Sequence, residues 1–188
     1  MSTVPTEDLN LLSRIKANDR LAFNRLFLKY HVGLLRFGKS LLAKDPERAE
    51  DVVQEVFLSV WKNRESLSIH TSFSAFLFTA VKNRIKDVYR EQQWTLYDPT
   101  ETAFDDALAA NQEPDHLLMF KELNADINQM ISLLPEKTKL VFRMNREDHL
   151  SYEQIAELLN ISIHSVKTHM YRSIKFLKKS YSEYKSRH

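Results

Sequence analysis

Apolar residues along this chain recur at intervals of three and four rather than two, and they do so in blocks bounded by helix-starting residues. Thr6 can cap EDLNLLSRIKA, Asn18 or Asp19 can cap the long run RLAFNRLFLKYHVGLLRFGKSLL, and Asp45 followed by Pro46 predicts a cap and first turn for PERAEDVVQEVFLSVWKNRESL. After the polar stretch SIHTS, Ser72 starts FSAFLFTAVKNRIKDVYREQQ, whose Phe73, Phe76, Leu77, Ala80, Val81, Ile85 and Val88 make a core-facing stripe. Residues 93–116 lose the period and hold two prolines. From about Leu117 a second helical block begins as LLMFKELNADINQMISLL, breaks at Pro135 and resumes as EKTKLVFRMNRE. It ends in LSYEQIAELLNISIHSVKTHMYRSIKFLK, two short amphipathic helices with almost no loop between them. The expected fold is all-α: two small helical domains, residues 1–92 and 119–188, joined by a flexible linker over 93–118. No internal repeat or low-complexity tract interrupts it.

Composition narrows the class. The 188 residues are 43% apolar, enough for one or two modest cores, and include no cysteine and only two glycines. The N-terminus MSTVPTEDLN lacks the basic and apolar regions of a signal peptide, and FSAFLFTAV falls far short of the ~20 residues needed to span a bilayer. A cytoplasmic protein with no direct membrane insertion is expected.

Charge is informative by segment. Residues 1–92 carry 15 Lys and Arg against 11 Asp and Glu, residues 93–118 carry six acids and no base, and residues 119–188 carry 12 bases against 8 acids. Two cationic domains on an acidic tether suggest a polyanion bound at two places, although a net charge of +2 keeps non-specific nucleic-acid affinity modest.

The C-terminal helix pair has the layout of a helix-turn-helix. The first helix needs a small residue at the crossing, which Ala156 supplies, and the turn needs a residue tolerant of positive φ, which Asn160 supplies. Ile155, Leu159, Ile161, Val166 and Met170 would form the shared core, with Ser162 as N-cap. His164, Ser165, Lys167, Thr168, Tyr171, Arg172 and Lys175 are then left outward, hydroxyls and cations of the kind a helix in a major groove needs. The same face also suits an ordinary solvated helix. His164 and His169 lie five apart and do not share a face, so no metal site is expected. Without a phosphate loop, HExxH or nucleophile elbow, no catalytic residue or cofactor is expected and the chain reads as no enzyme.

A helix-turn-helix alone does not name a function. EDVVQEVFLSVWKN together with SFSAFLFTAVKNRIKDVYR resembles region 2 of extracytoplasmic-function (ECF) sigma factors, and LLPEKTKLVFRMNREDHLSYEQIAELLNISIHSVKTHMYRSIKFLKK resembles their region 4. The likeness covers nearly the whole chain in the right order. It is especially similar to the iron-uptake and polysaccharide-utilisation type of Bacteroidetes.

The resemblance implies an initiation subunit of bacterial RNA polymerase, with promoter DNA and the core enzyme as partners. The helix EDVVQEVFLSVWKN would dock on the clamp coiled coil of the largest subunit through Asp51, Gln54, Glu55, Phe57 and Trp61, although aromatics at such spacing also suit a core. The loop SLSIHTS would capture a flipped base of the −10 element with Ser68, His70, Thr71 and Ser72, unless it is an ordinary polar turn. Lys82, Lys86 and Arg90, repeating every four residues, would follow single-strand phosphates, and Asn83 would face DNA or brace the loop. The outward residues of the last helix would read the −35 element, Arg172 at a base and Lys167 and Lys175 at phosphates. Where many relatives have Arg this chain has His169, which puts one phosphate contact in doubt; Asn160 replaces a usual Gly without loss, since Asn accepts the left-handed turn.

Family promoters separate the two elements by about 17 base pairs, roughly 58 Å. The linker averages about 27 Å as a free coil and reaches ~80 Å stretched, so polymerase would have to hold it open. The family is usually restrained by an anti-sigma factor, often membrane-bound. The main alternative is a dimeric regulator that binds palindromic duplex without polymerase.

Overall fold

The computed structural model describes residues 6–69, 72–93 and 121–185. Among them are eight helices and no strand: α1 (Thr6–Lys16), α2 (Arg20–Leu41), α3 (Arg48–Lys62), α4 (Phe73–Gln93), α5 (Lys121–Ser132), α6 (Glu136–Arg146), α7 (Tyr152–Leu159) and α8 (Ile163–Lys185). The acidic segment expected as a linker lies almost wholly outside the described residues, as do His70 and Thr71.

Helix α2 is the axis of the N-terminal body and packs on α1, α3 and α4. Asn18 turns the chain at φ 70, and Asp19 caps α2 by accepting from the amides of Leu21 (2.9 Å) and Ala22 (3.1 Å). Those amides, with Arg14 at 2.6 Å, hold the Asp19 carboxyl below its ordinary range. Asp8 straps α1 to α2. Buried at 2% exposure, it accepts from Lys29 Nζ and from the Tyr30 hydroxyl, both at 2.6 Å, and burial together with Asp8 pushes the Tyr30 phenol up.

The start of α3 differs from the expectation. Asp45 does not cap it: the Asp45 amide donates to Leu42 O (2.9 Å), the Ala49 amide to Pro46 O (3.3 Å), and α3 opens at Arg48. The chain leaving α2 has to reverse first, and Pro46 is spent in that turn; Glu50 and Asp51 then supply the favourable charge in the first helical turn. For α4 the expectation holds at its start, where Ser72 Oγ accepts from the Ala75 amide at 3.0 Å. Phe73, Leu77, Val81, Ile85 and Val88 are buried and Phe76 and Ala80 half-buried. Phe78, outside the expected stripe, is fully buried against Phe37. The arc is wider than one stripe because α2, α3 and α7 all pack on α4.

Both glycines stand inside α2, where each costs about 1 kcal/mol relative to Ala. Gly38 lets Ala49 of α3 close in: a Cβ at position 38 would lie 3.2 Å from the Ala49 methyl. Gly33 faces a residue of the C-terminal body, Asp148.

In that body α6, α7 and α8 pack around Val141, Met144, Leu150, Ile155, Val166 and Met170, with α5 resting on α8. A tight corner joins α6 to α7, closed by Leu150 N donating to Met144 O (3.0 Å) and by His149 at φ 56. The two bodies meet there, α6 against α2 and α7 against α4. No described helix is long and apolar enough to cross a membrane.

Candidate nucleic-acid interface

The helix-turn-helix is built by local rules. Ser151 and Gln154 form a reciprocal capping box at the start of α7 (2.9 and 3.2 Å), Asn160 ends it in the left-handed region at φ 53, and the Ile161 amide returns to Ala156 O at 3.0 Å. Ala156 is buried at the crossing, as expected. Ser162 Oγ then accepts from the Ser165 amide at 3.0 Å and bonds the Ser165 hydroxyl at 2.9 Å, so α8 starts only two residues after Ile161.

With Val166, Met170 and Ser173 turned inward, α8 presents His164, Lys167, Tyr171, Arg172 and Lys175 to solvent, with Ser165 and Thr168 half-buried at the edge of the same face. Tyr171 is 66% exposed, unusual for an aromatic that has only to pack. His169 does not belong to this face: its Nδ1 meets Thr138 Oγ1 of α6 at 2.9 Å. Burial, then Arg172 and Lys137, push its pKa down, and the ring braces α8 against α6.

On α3, Asp51, Gln54 and Glu55 are exposed along one side, as expected. Phe57 is not: it is 2% exposed and packs against Phe27 and Phe23, because its position faces α2 rather than solvent. Trp61 is half-buried, tilted on Phe23 with its ring 5.0 Å away and stacked under the Arg64 guanidinium. The residue that reading the spacing missed is Leu58, 55% exposed and seven, four and three residues from Asp51, Gln54 and Glu55. Helical spacing alone was enough to find it. Glu55 also pairs with Arg84 of α4, which holds Glu91 as well.

Around the expected −10 loop, Ser68 is exposed, whereas Ser72 is buried and occupied in capping α4. A groove between α3 and α4 is lined by Leu67, Asn83, Ser59, Asn63 and Phe76, so Asn83 and the loop do share one concave surface. Lys86 is exposed, and Arg90 is exposed with Asp87 at 3.2 Å. Lys82 has turned to the C-terminal body, donating to Glu157 O at 2.5 Å; burial, then Lys86, lowers its pKa. No group of His, Cys or carboxylates able to hold a metal occurs among the described residues.

Comparison with known proteins matches this layout. Residues 26–95 match the family described as Sigma-70 region 2, and residues 124–177 match Sigma-70, region 4. The ECF RNA polymerase sigma factor SigW of Bacillus subtilis is 29% identical over 175 residues, 89% of this chain and 93% of its own. The RNA polymerase sigma-H factor of Pseudomonas aeruginosa is 26% identical over 174 residues, 89% and 90% of the two chains. Among solved structures, the sigma factor RpoE in complex with the anti-sigma factor NepR from Bartonella quintana aligns at 20% identity over 85% of this chain and 96% of that one, with a TM-score of 0.49. With both sigma-70 regions in order and ECF-type relatives matched over about nine-tenths of its length, the chain belongs to the ECF family of RNA polymerase sigma factors.

Proposed function

We propose that this chain joins bacterial core RNA polymerase and directs it to promoters, the C-terminal body (119–188) reading the −35 duplex and the N-terminal body (1–92) binding the melted −10 strand. The observation that carries the reading is the division of exposed chemistry between the two bodies. The α8 face combines cations, hydroxyls and an exposed Tyr171, and these are the side chains that position a helix on phosphates and read base edges. The exposed side of α3 carries acid, amide and Leu58 instead, which suits a protein partner and would be repelled by DNA.

Strand opening needs no nucleotide hydrolysis in this scheme. Holding a flipped base in the groove beside Leu67 and Asn83, with Lys86 and Arg90 on the phosphates, offsets the few kcal/mol lost on unstacking. An anti-sigma partner and the iron-uptake or polysaccharide-utilisation subtype belong to the same proposal by family resemblance. Run-off transcription with core polymerase on genomic fragments tests it and reveals the promoter together. The expected outcome is new start sites that depend on the protein, with weak promoter binding by the chain alone in gel shifts. Tight, specific binding to a palindrome without polymerase would replace this reading with that of a dimeric regulator.

A further inference from the structure

The two most exposed large apolar side chains among the described residues belong neither to the DNA-facing surfaces nor to the α3 patch. Leu28 is 75% exposed and Leu21 69%. Both stand on α2 with Arg25 between them, four residues from one and three from the other, so the three share one helix face. Phe23 and Phe27 carry α3 on one flank of α2 through Phe57, and Asp8 holds α1 on the other through Lys29 and Tyr30. Arg25 and Leu28 therefore border a groove between α1 and α2, with Asn10 and Arg14 opposite and the buried Leu11 in its lining. It shares no lining residue with the α3–α4 groove.

The charge of this face is one-sided. Asp8 is buried, Asp19 is taken by its cap and by Arg14, and Glu7 is taken by Lys29. Lys16, Arg20 and Arg25 are exposed and have no ion pair among the described residues. Leucines seven residues apart are spaced as one helix receives another, and an arginine between them can hold a carboxylate by two parallel bonds. Phosphate would satisfy the cations and leave the leucines in water, and a second copy would bring like charges together.

We propose that the α1–α2 groove receives an acidic amphipathic helix of a regulatory protein, its apolar side chains against Leu21, Leu28 and Leu11 and a carboxylate on Arg25. Because the groove lies across α2 from the exposed side of α3, this partner binds together with polymerase rather than in its place. Only that last clause uses the promoter reading above.

The probe is a fluorescent synthetic helix of two heptads with Leu at its a and d positions and Glu at the flanks; the control peptide carries Lys in place of every Glu. With the full-length chain, anisotropy should rise for the acidic peptide alone, and amide shifts should centre on Leu21, Arg25 and Leu28. Arg25→Glu and, separately, Leu28→Ser should each weaken binding about tenfold or more. Both positions are exposed, so the variants should melt with the parent and lost binding is not lost folding. Adding core polymerase should leave the peptide affinity unchanged, and displacement would overturn simultaneous binding. No binding of the acidic peptide, or equal binding of the control, would overturn the site. So would Leu28-dependent self-association in sedimentation, or Leu28-dependent binding to phosphatidylglycerol vesicles or duplex DNA. Amide shifts across 93–118 caused by Leu28→Ser with no peptide present would assign the groove to the chain's own acidic segment, and also overturn it. Failure to co-elute with core polymerase would instead remove the promoter reading, while the peptide titration still decides the groove.

Discussion

At the residue scale, the clearest agreements come from positions governed by their own backbone. Asn160 adopts φ 53, and Asn tolerates that region because its short amide can bond locally. Asn160→Val should therefore lower stability by about 1–2 kcal/mol, read as an earlier melt of α7 and α8, while Asn160→Gly should be nearly neutral. On the α8 face, Arg172→Ala should relax preference at one −35 base and cost about 1–3 kcal/mol at that position. Lys175→Ala should weaken all promoters alike and reduce the salt dependence of binding by about one counterion. Asp148 could not be read this way, since nothing near it in the chain shows that Gly33 and Arg36 will meet it. Burial raises its pKa from 3.8 to about 6, with Glu147 adding to the rise and Arg36 and Arg143 opposing it. The folded protein therefore binds the extra proton: the contribution of Asp148 to stability is full below 3.8 and is lost as pH rises through about 6. The melting temperature should fall as pH rises across that window, and Asp148→Asn, which cannot lose the proton, should flatten the change.

At the element scale, helical period located every described helix but did not assign faces where a helix touches more than one neighbour. Phe57 and Leu58 are adjacent; the sequence left Phe57 open between interface and core and did not single out Leu58. Phe57→Ala should cost about 3–5 kcal/mol in the melting of the N-terminal body, because it removes a ring from a closed aromatic cluster. Leu58→Ala should change stability by less than about 0.5 kcal/mol and instead weaken association with core polymerase, measured by co-elution or by competition with a second sigma factor. A Leu58 variant that binds core polymerase at full strength would remove α3 from the interface. The late start of α3 has a similar origin: Asp45 and Pro46 are a sound capping signal, overridden by the reversal the chain must make after α2.

For the whole molecule, the acidic segment over 93–118 carries charge of one sign only, as RNA does. The family resemblance implies that polymerase receives this segment in channels that also take RNA; on that reading, replacing Asp98, Glu101, Asp105, Asp106, Glu113 and Asp115 with lysine should depress initiation without altering the melting of either body. Unchanged run-off yield would reduce it to a spacer. The sequence by itself determined the all-helical class, the caps at Asp19, Ser72 and Ser162, the helix-turn-helix and the two basic segments, because each depends on residues within a turn or two of one another. Only the tertiary structure decided that Phe57 is core, that His169 braces α8 from behind, and that Lys82 and Gly33 serve the contact between the bodies. Those facts join residues as far apart as 115 positions, from Gly33 to Asp148, and a local period carries no information about which distant surface will arrive to cover a given face.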